Sequence, residues 1–254
     1  MKLPRRAAFA LPAGWLAGMR QGTLLGAAVL VLTLPPAGLA TSRSFTTPRM
    51  APEIAELADL RVADFGEHTA LADARNVANW VAHSRDNQRL PFVILDKRDA
   101  RVFVFDAGGM LIDASPVLLG AAAGDDSVAG IGERLIAEVR PEERTTPAGR
   151  FISRPGRNAS GEDVVWVDYD AAVSMHRVRP VDPKERRLER LASSDPAQRR
   201  ISYGCINVPV AFFESVIDPT IGAQRAVVYV LPETKSVRQV FAGVYPVDAQ
   251  SPGM

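Results

Sequence analysis

Cys205 is the only cysteine among 254 residues, and it is set in Ile201-Ser202-Tyr203-Gly204-Cys205-Ile206-Asn207. A lone thiol closes no internal disulfide, so its role is packing, pairing between chains, or chemistry. In chemistry the thiolate is the reactive form. Three devices lower a thiol pKa: an imidazole neighbour, a helix N-terminus and nearby hydrogen-bond donors. The spacing predicts a helix over Pro209–Ile217, because proline suits a first turn and Val210, Phe213, Val216 and Ile217 recur on one face. Cys205 then falls just upstream of the positive end of that helix dipole. Gly204 lets the backbone turn tightly, and the amides of Gly204 and Cys205 are natural donors to an acyl-transfer oxyanion.

A base must accompany the thiol, and the chain has three histidines, His68, His83 and His176. His68 and His83 fall at the two ends of an expected surface helix. His176 follows Val173-Ser174-Met175 at an apparent strand edge, 29 positions ahead of Cys205, and is the candidate general base. An ordinary strand-end histidine is the plain alternative. No His-x-His or multiple-cysteine spacing suggests a metal site, and no cofactor motif occurs. Ser202 lacks the Gly-x-Ser-x-Gly elbow of a serine nucleophile.

The elements that must position these groups read as mainly β, an α+β arrangement built on an antiparallel sandwich or meander with a few helices. Phe92–Leu95, Arg101–Phe105 and Met110–Ile112 are short β-rich runs split by the turn clusters Asp96-Lys97-Arg98-Asp99 and Asp106-Ala107-Gly108-Gly109. Val164–Tyr169 and Ala226–Leu231 read as further strands. Helix is expected over Glu67–Arg85, where Leu71, Ala74, Ala78 and Val81 recur near the helical period, and again over Pro183–Ser193. The expected organisation is a signal segment at 1–40, a flexible lead-in at 41–66, an accessory helix at 67–90, a catalytic domain at 91–232 and a tail at 233–254.

The signal expectation rests on Gly22–Leu34, an apolar stretch of 13 residues broken by Pro35-Pro36 and followed by the small-x-small site Gly38-Leu39-Ala40. Spanning a bilayer takes about 20 residues, so secretion with cleavage is expected over anchoring, and a membrane is a partner only through an uncleaved signal. A start at Met19 would give a more ordinary signal. Four of the 30 basic residues and none of the 29 acids precede residue 41, which leaves the remainder at net −3. That balance offers no basic field for nucleic acid.

The residues around Cys205 resemble the L,D-transpeptidases of peptidoglycan. That family carries a histidine, a spacer, then Ser/Thr-His-Gly-Cys followed by an apolar residue and Asn or Arg. Ser202, Gly204, Cys205, Ile206 and Asn207 match this motif, His176 matches the upstream histidine, and Thr145-Thr146-Pro147-Ala148-Gly149-Arg150-Phe151 looks like the family's Thr-Pro-x-Gly-x-Phe segment. The resemblance runs from about Phe92 to Leu231. It implies an exported, periplasmic or wall-associated cysteine enzyme whose partner is the peptide stem of peptidoglycan. Cys205 would attack the bond after the diamino acid at stem position three, with His176 as base and then acid. A second stem as acceptor gives a 3→3 cross-link. Water gives carboxypeptidase chemistry by the same site, and a wall-binding relative with weak turnover is the third reading. The resemblance departs in two places. Tyr203 stands where the motif has histidine, and the stretch between His176 and Cys205 is longer than the family's. That stretch, around Pro180–Arg200, carries Arg186, Arg187, Arg190, Arg199 and Arg200, with Arg177 and Arg179 just ahead. It is either a solvated helix face or a lid pairing with stem carboxylates, in which Asn207, Arg177 and Arg200 are the expected substrate contacts.

Overall fold

The computed structural model describes residues 61–247. The expected signal segment, most of the lead-in and the end of the tail lie outside the described residues. Ten strands are formed: β1 (Phe92–Asp96), β2 (Arg101–Phe105), β3 (Leu111–Pro116), β4 (Leu119–Gly120), β5 (Gly149–Arg157), β6 (Asp163–Asp168), β7 (Val173–Arg177), β8 (Arg200–Ser202), β9 (Ile206–Val208) and β10 (Ala226–Val230). Eight join one sheet in the order β3-β2-β1-β10-β5-β6-β7-β9, and β4 pairs with β8. The fold is mainly β, with an antiparallel meander β1-β2-β3 at one end. The sheet as a whole is mixed rather than antiparallel, because β1 pairs with β10 and β7 with β9 in parallel. Parallel neighbours need a long crossover, and the segments before β9 and β10 provide it.

Both faces of the sheet are used. Val93, Leu95, Val102, Val104, Val165, Met175, Ile206 and Val228 face one core. Phe92, Ile94, Phe103, Phe105, Val227 and Tyr229 face the other. The central strands β1 and β10 are therefore buried on both sides, which is why they read as unbroken apolar runs. Helix α1 (Ala72–Ser84) lies on the second face through Val77, Ala78 and Val81. It starts five residues later than its apolar spacing predicts. Ahead of it Asp64 pairs with the hairpin through Gly109 and Leu111, and Phe65 packs edge-on against Phe103 and Phe105. The chain is thus ordered against the sheet before residue 67. Arg85, at φ 60°, ends α1.

Helix α2 (Arg187–Ala192) is shorter than the predicted Pro183–Ser193, because Arg186 takes a left-handed conformation and separates it from a single turn at Pro183–Glu185. A third helical stretch, α3, runs through Val210–Phe212, a wide turn at Phe213–Ile217 and Asp218–Thr220. It covers the first core with Phe212, Phe213, Val216 and Ile217. Helix α4 (Val237–Val240) is capped by Ser236, and Phe241 beyond it is buried beside α1. Residues 233–241 are therefore packed against the sheet rather than trailing from it. Among the described residues no helix is long and apolar enough to cross a membrane.

Candidate active site

Two adjacent parallel strands position the chemistry. In the β7–β9 pair His176 is opposite Asn207 and Met175 is opposite Ile206. Side chains alternate along a strand. Met175 and Ile206 point into the first core and are fully buried, so Ser174, His176, Cys205 and Asn207 share the other face. Continuing the register one step sets Cys205 level with Ser174. Their Sγ and Oγ are 3.7 Å apart, and the thiol donates to the Ala172 carbonyl at 3.5 Å.

His176 Nδ1 lies 2.8 Å from the Arg177 carbonyl. A carbonyl only accepts, so Nδ1 carries the proton and Nε2 presents its lone pair. Asn207, fully buried, stands beside that lone pair with Nδ2 at 3.4 Å from Nε2 and 3.3 Å from the Cys205 carbonyl. Arg187, from α2, donates to Asn207 Oδ1 at 2.6 Å. Burial pushes the Cys205 thiol up. The neighbouring His176 imidazole, followed by hydrogen bonds from Ser174, pulls it down, and the thiol is held below its ordinary value. The thiol itself donates to Ala172 O, so Cys205 and His176 stand as neighbours with the thiol proton directed away from the imidazole.

The helix expected over Pro209–Ile217 forms there, but not close enough to act on Cys205. Strand β9 intervenes and Pro209 caps α3, so the helix starts five residues on. A dipole acts over about one turn, and thiol activation here belongs to His176 and Ser174 instead. The oxyanion expectation also changes. Gly204 N–H donates to Ser202 Oγ at 3.1 Å, and that hydroxyl donates to the Cys205 carbonyl at 2.6 Å. The Gly204 amide is therefore engaged in shaping the loop, and of the two amides Cys205's is left as the candidate oxyanion donor. Ser202 is a loop brace.

Gly204 is required by space and conformation together. Its φ is +132°, and a Cβ there would come within 2.7 Å of the Thr145 carbonyl. Thr146 Oγ1 donates to Gly204 O at 2.9 Å and accepts from Gly120 N–H at 2.9 Å, which ties the Thr145–Phe151 segment to the cysteine loop. Tyr203 points elsewhere. It is 39% exposed, with the Arg144 guanidinium 4.1 Å above its ring.

The expected arginine contacts are otherwise occupied. Arg200 pairs with Glu233 and donates to Lys97 O at 2.8 Å, within a buried cluster of Lys97, Asp125 and Glu233. Arg177 alternates to the face opposite His176, stacks on Phe213 at 4.1 Å and pairs with Glu214. It serves the site through its carbonyl alone. The stretch expected as a lid is anchored by Leu191 and Val178 on Leu118. Arg190 and Arg199 bond to backbone carbonyls, and only Arg187 among the inserted arginines reaches the site. Sequence reasoning gave Ser174 no role, held Thr146 only as part of the Thr145–Phe151 segment and Arg187 only as one arginine of the inserted stretch. Ser174 was legible from its two-residue spacing to His176 on a strand, whereas Arg187 carried no such signal.

No protein-family model matches the sequence, and a comparison with curated proteins gives no match. Among solved structures the chain is similar to the helical cell shape determining protein Pgp2 of Campylobacter jejuni, at 15% identity over 65% of this chain and 58% of that one, TM-score 0.38. It is similar to an L,D-transpeptidase of Xylanimonas cellulosilytica, at 14% identity over 56% and 60%, TM-score 0.34. A third is an L,D-transpeptidase of Mycobacterium smegmatis, at 15% identity over 55% and 58%, TM-score 0.32. The chain spans less than two thirds of the length of each.

Proposed function

We propose that this protein is an exported cysteine acyl-transferase acting on peptidoglycan stem peptides. The observation that carries the proposal is the β7–β9 register, which sets a thiol of lowered pKa beside an imidazole of fixed tautomer on one strand face. The motif resemblance around Cys205 supplies the substrate class, and the apolar segment at 22–34 supports export.

In the first half-reaction the Cys205 proton passes to His176 Nε2 and the thiolate attacks the carbonyl carbon of the third stem residue. The oxyanion that forms is met by the Cys205 amide. Collapse breaks the peptide bond, and His176 returns its proton to the departing amine of the terminal D-alanine. A thioester remains. The amine of a second stem then gives a proton to His176 and attacks the thioester, releasing the thiolate and forming a 3→3 link. Tyr203 has no part in this proton path, because its phenol contacts neither His176 nor Cys205 and its ring packs under Arg144.

The test is incubation of the purified protein with tetrapeptide muropeptides. A 3→3 dimer, or release of the terminal residue, is expected with the native protein, and Cys205→Ala is expected to form neither. Turnover that survives Cys205→Ala would falsify the cysteine mechanism.

A further inference from the structure

The face that carries Cys205 continues across two more strands. Ser174 of β7 is opposite Trp166 of β6, and Trp166 is opposite Arg154 of β5. With Cys205 level with Ser174, one cross-strand row runs Cys205, Ser174, Trp166, Arg154, and partners in such a row share a face. At roughly 4.8 Å per strand, Trp166 stands about 10 Å and Arg154 about 14 Å from the cysteine along the sheet.

This end of the row is shaped as a groove. Trp166 lies over Gly156, where a Cβ would meet the indole Cδ1 at 2.7 Å, so any side chain at 156 would lift the ring from the strand. Tyr169 meets Trp166 edge-on with centroids 5.2 Å apart and is 75% exposed. With Ile152, Arg154 and Pro155 these rings line an open groove of about 430 Å³. Arg154 is exposed and, among the described residues, makes no ion pair or hydrogen bond. Its strand neighbours differ, since Arg150 holds Asp86 and Arg157 holds Asp163.

Resting on the acyl-transfer reading above, the geometry points to this groove as the subsite for the sugar end of the donor. A hexosamine ring stacks on Trp166 and Tyr169, and Arg154, the next residue of the row, donates to its hydroxylated rim. Reach supports the assignment. Three extended residues span about 10 Å, which matches the two strand spacings between Cys205 and Trp166. With the third stem residue on Cys205, the first residue and its sugar arrive over Trp166. Chemistry supports it too. A pyranose has apolar C–H faces and a hydroxylated rim, and it meets here an aromatic face edged by a phenol and an unpaired guanidinium.

Calorimetry on the Cys205→Ala protein, compared between a disaccharide-tetrapeptide and the free tetrapeptide of the same stem, tests the subsite. The disaccharide form is expected to bind about tenfold tighter, the scale of one aromatic stacking contact. Trp166→Ala abolishes that difference, Trp166→Phe keeps most of it, and Arg154→Gln reduces it while leaving the free tetrapeptide unaffected. Thermal melts of each variant confirm an intact fold. Equal binding of the two ligands, or a Trp166→Ala loss that falls equally on both, overturns the subsite. Turnover by the native protein, measured in parallel, separates the two readings. Turnover without sugar preference removes the subsite and leaves the reaction, while sugar-dependent binding without turnover removes the reaction and leaves the subsite.

Discussion

Arg187 donates to Asn207 Oδ1, and that bond decides which end of the Asn207 amide faces His176. A guanidinium has no acceptor, so the amide oxygen is committed to it and the NH2 is turned toward His176 Nε2 and the Cys205 carbonyl. A hydrogen bond to a charged group is worth about 1.5–3 kcal/mol, on the order of 10- to 100-fold in rate if it acts in the transition state. Arg187→Ala is expected to lower kcat within that range with little change in KM. Arg187→Lys restores part of the loss because lysine is also a pure donor. A rise in KM alone, with kcat preserved, would instead make Arg187 a substrate contact.

Iodoacetamide labelling across pH reads the thiolate directly. The apparent pKa of Cys205 should fall below the ordinary thiol value of about 8.5. Removing the imidazole in His176→Ala should move it up, because burial then acts with less opposition. The sign for stability follows from the lowered folded-state pKa. Its contribution is present in full above the unfolded thiol pKa and is lost as pH falls through the folded one. The native protein should therefore gain stability over Cys205→Ser as pH rises through that window, as thermal melts at a series of pH values would record.

For Tyr203 the ring matters and the hydroxyl does not. Its contact with Arg144 is worth about 0.5–1 kcal/mol at a partly exposed site. Tyr203→Phe should leave turnover within about twofold, whereas Tyr203→Ala should lower stability by that amount in denaturant unfolding. A Tyr203→Phe protein without activity would place the phenol in the proton path after all.

The Lys97–Asp125 pair anchors the opposite end of the β8 segment. Both side chains are fully buried, 2.8 Å apart, and Asp125 also accepts from Thr234 Oγ1 and the backbone of 233–235. Burial pushes the Asp125 carboxyl up, but Lys97, Thr234 and those amides outweigh it and hold the carboxyl well below its usual range. That stability is present above the unfolded carboxylate pKa of about 3.9 and is lost as pH falls below it. Asp125→Leu should cost up to about 3–5 kcal/mol at pH 7, since the buried Lys97 loses its nearer carboxylate and keeps only Glu233 at 3.4 Å. The pH dependence of unfolding between about 5 and 2 should flatten in the same variant.

What the sequence made legible follows burial. β1, β2 and β10 are covered on both faces and read as unbroken apolar runs. β5 was hidden because Arg154, Pro155 and Gly156 break its pattern, and of these Arg154 and Gly156 share the face that carries Trp166. β8 and β9 are three residues each, too short for any period to register. At the site, Cys205 and His176 were found from residue type and motif. The helix after Pro209 starts where its spacing places it, but β9 takes up the three residues between Pro209 and Cys205, which puts the thiol beyond the reach of the dipole. Arg200 and Arg177 could not be told from Arg187 by composition. Only tertiary packing shows that Glu233 holds the first, Phe213 and Glu214 hold the second, and Asn207 receives the third.

The cysteine loop is tied to Gly120 through Thr146, level with Ser174 and within reach of Arg187 through Asn207. These partners are contributed by segments up to about eighty residues away in the chain. Before they meet, Cys205 is an ordinary thiol with nothing to favour its anion. Under the proposed function, folding and arming of the nucleophile are a single event, and a nascent or damaged chain carries no activated thiolate to react out of turn.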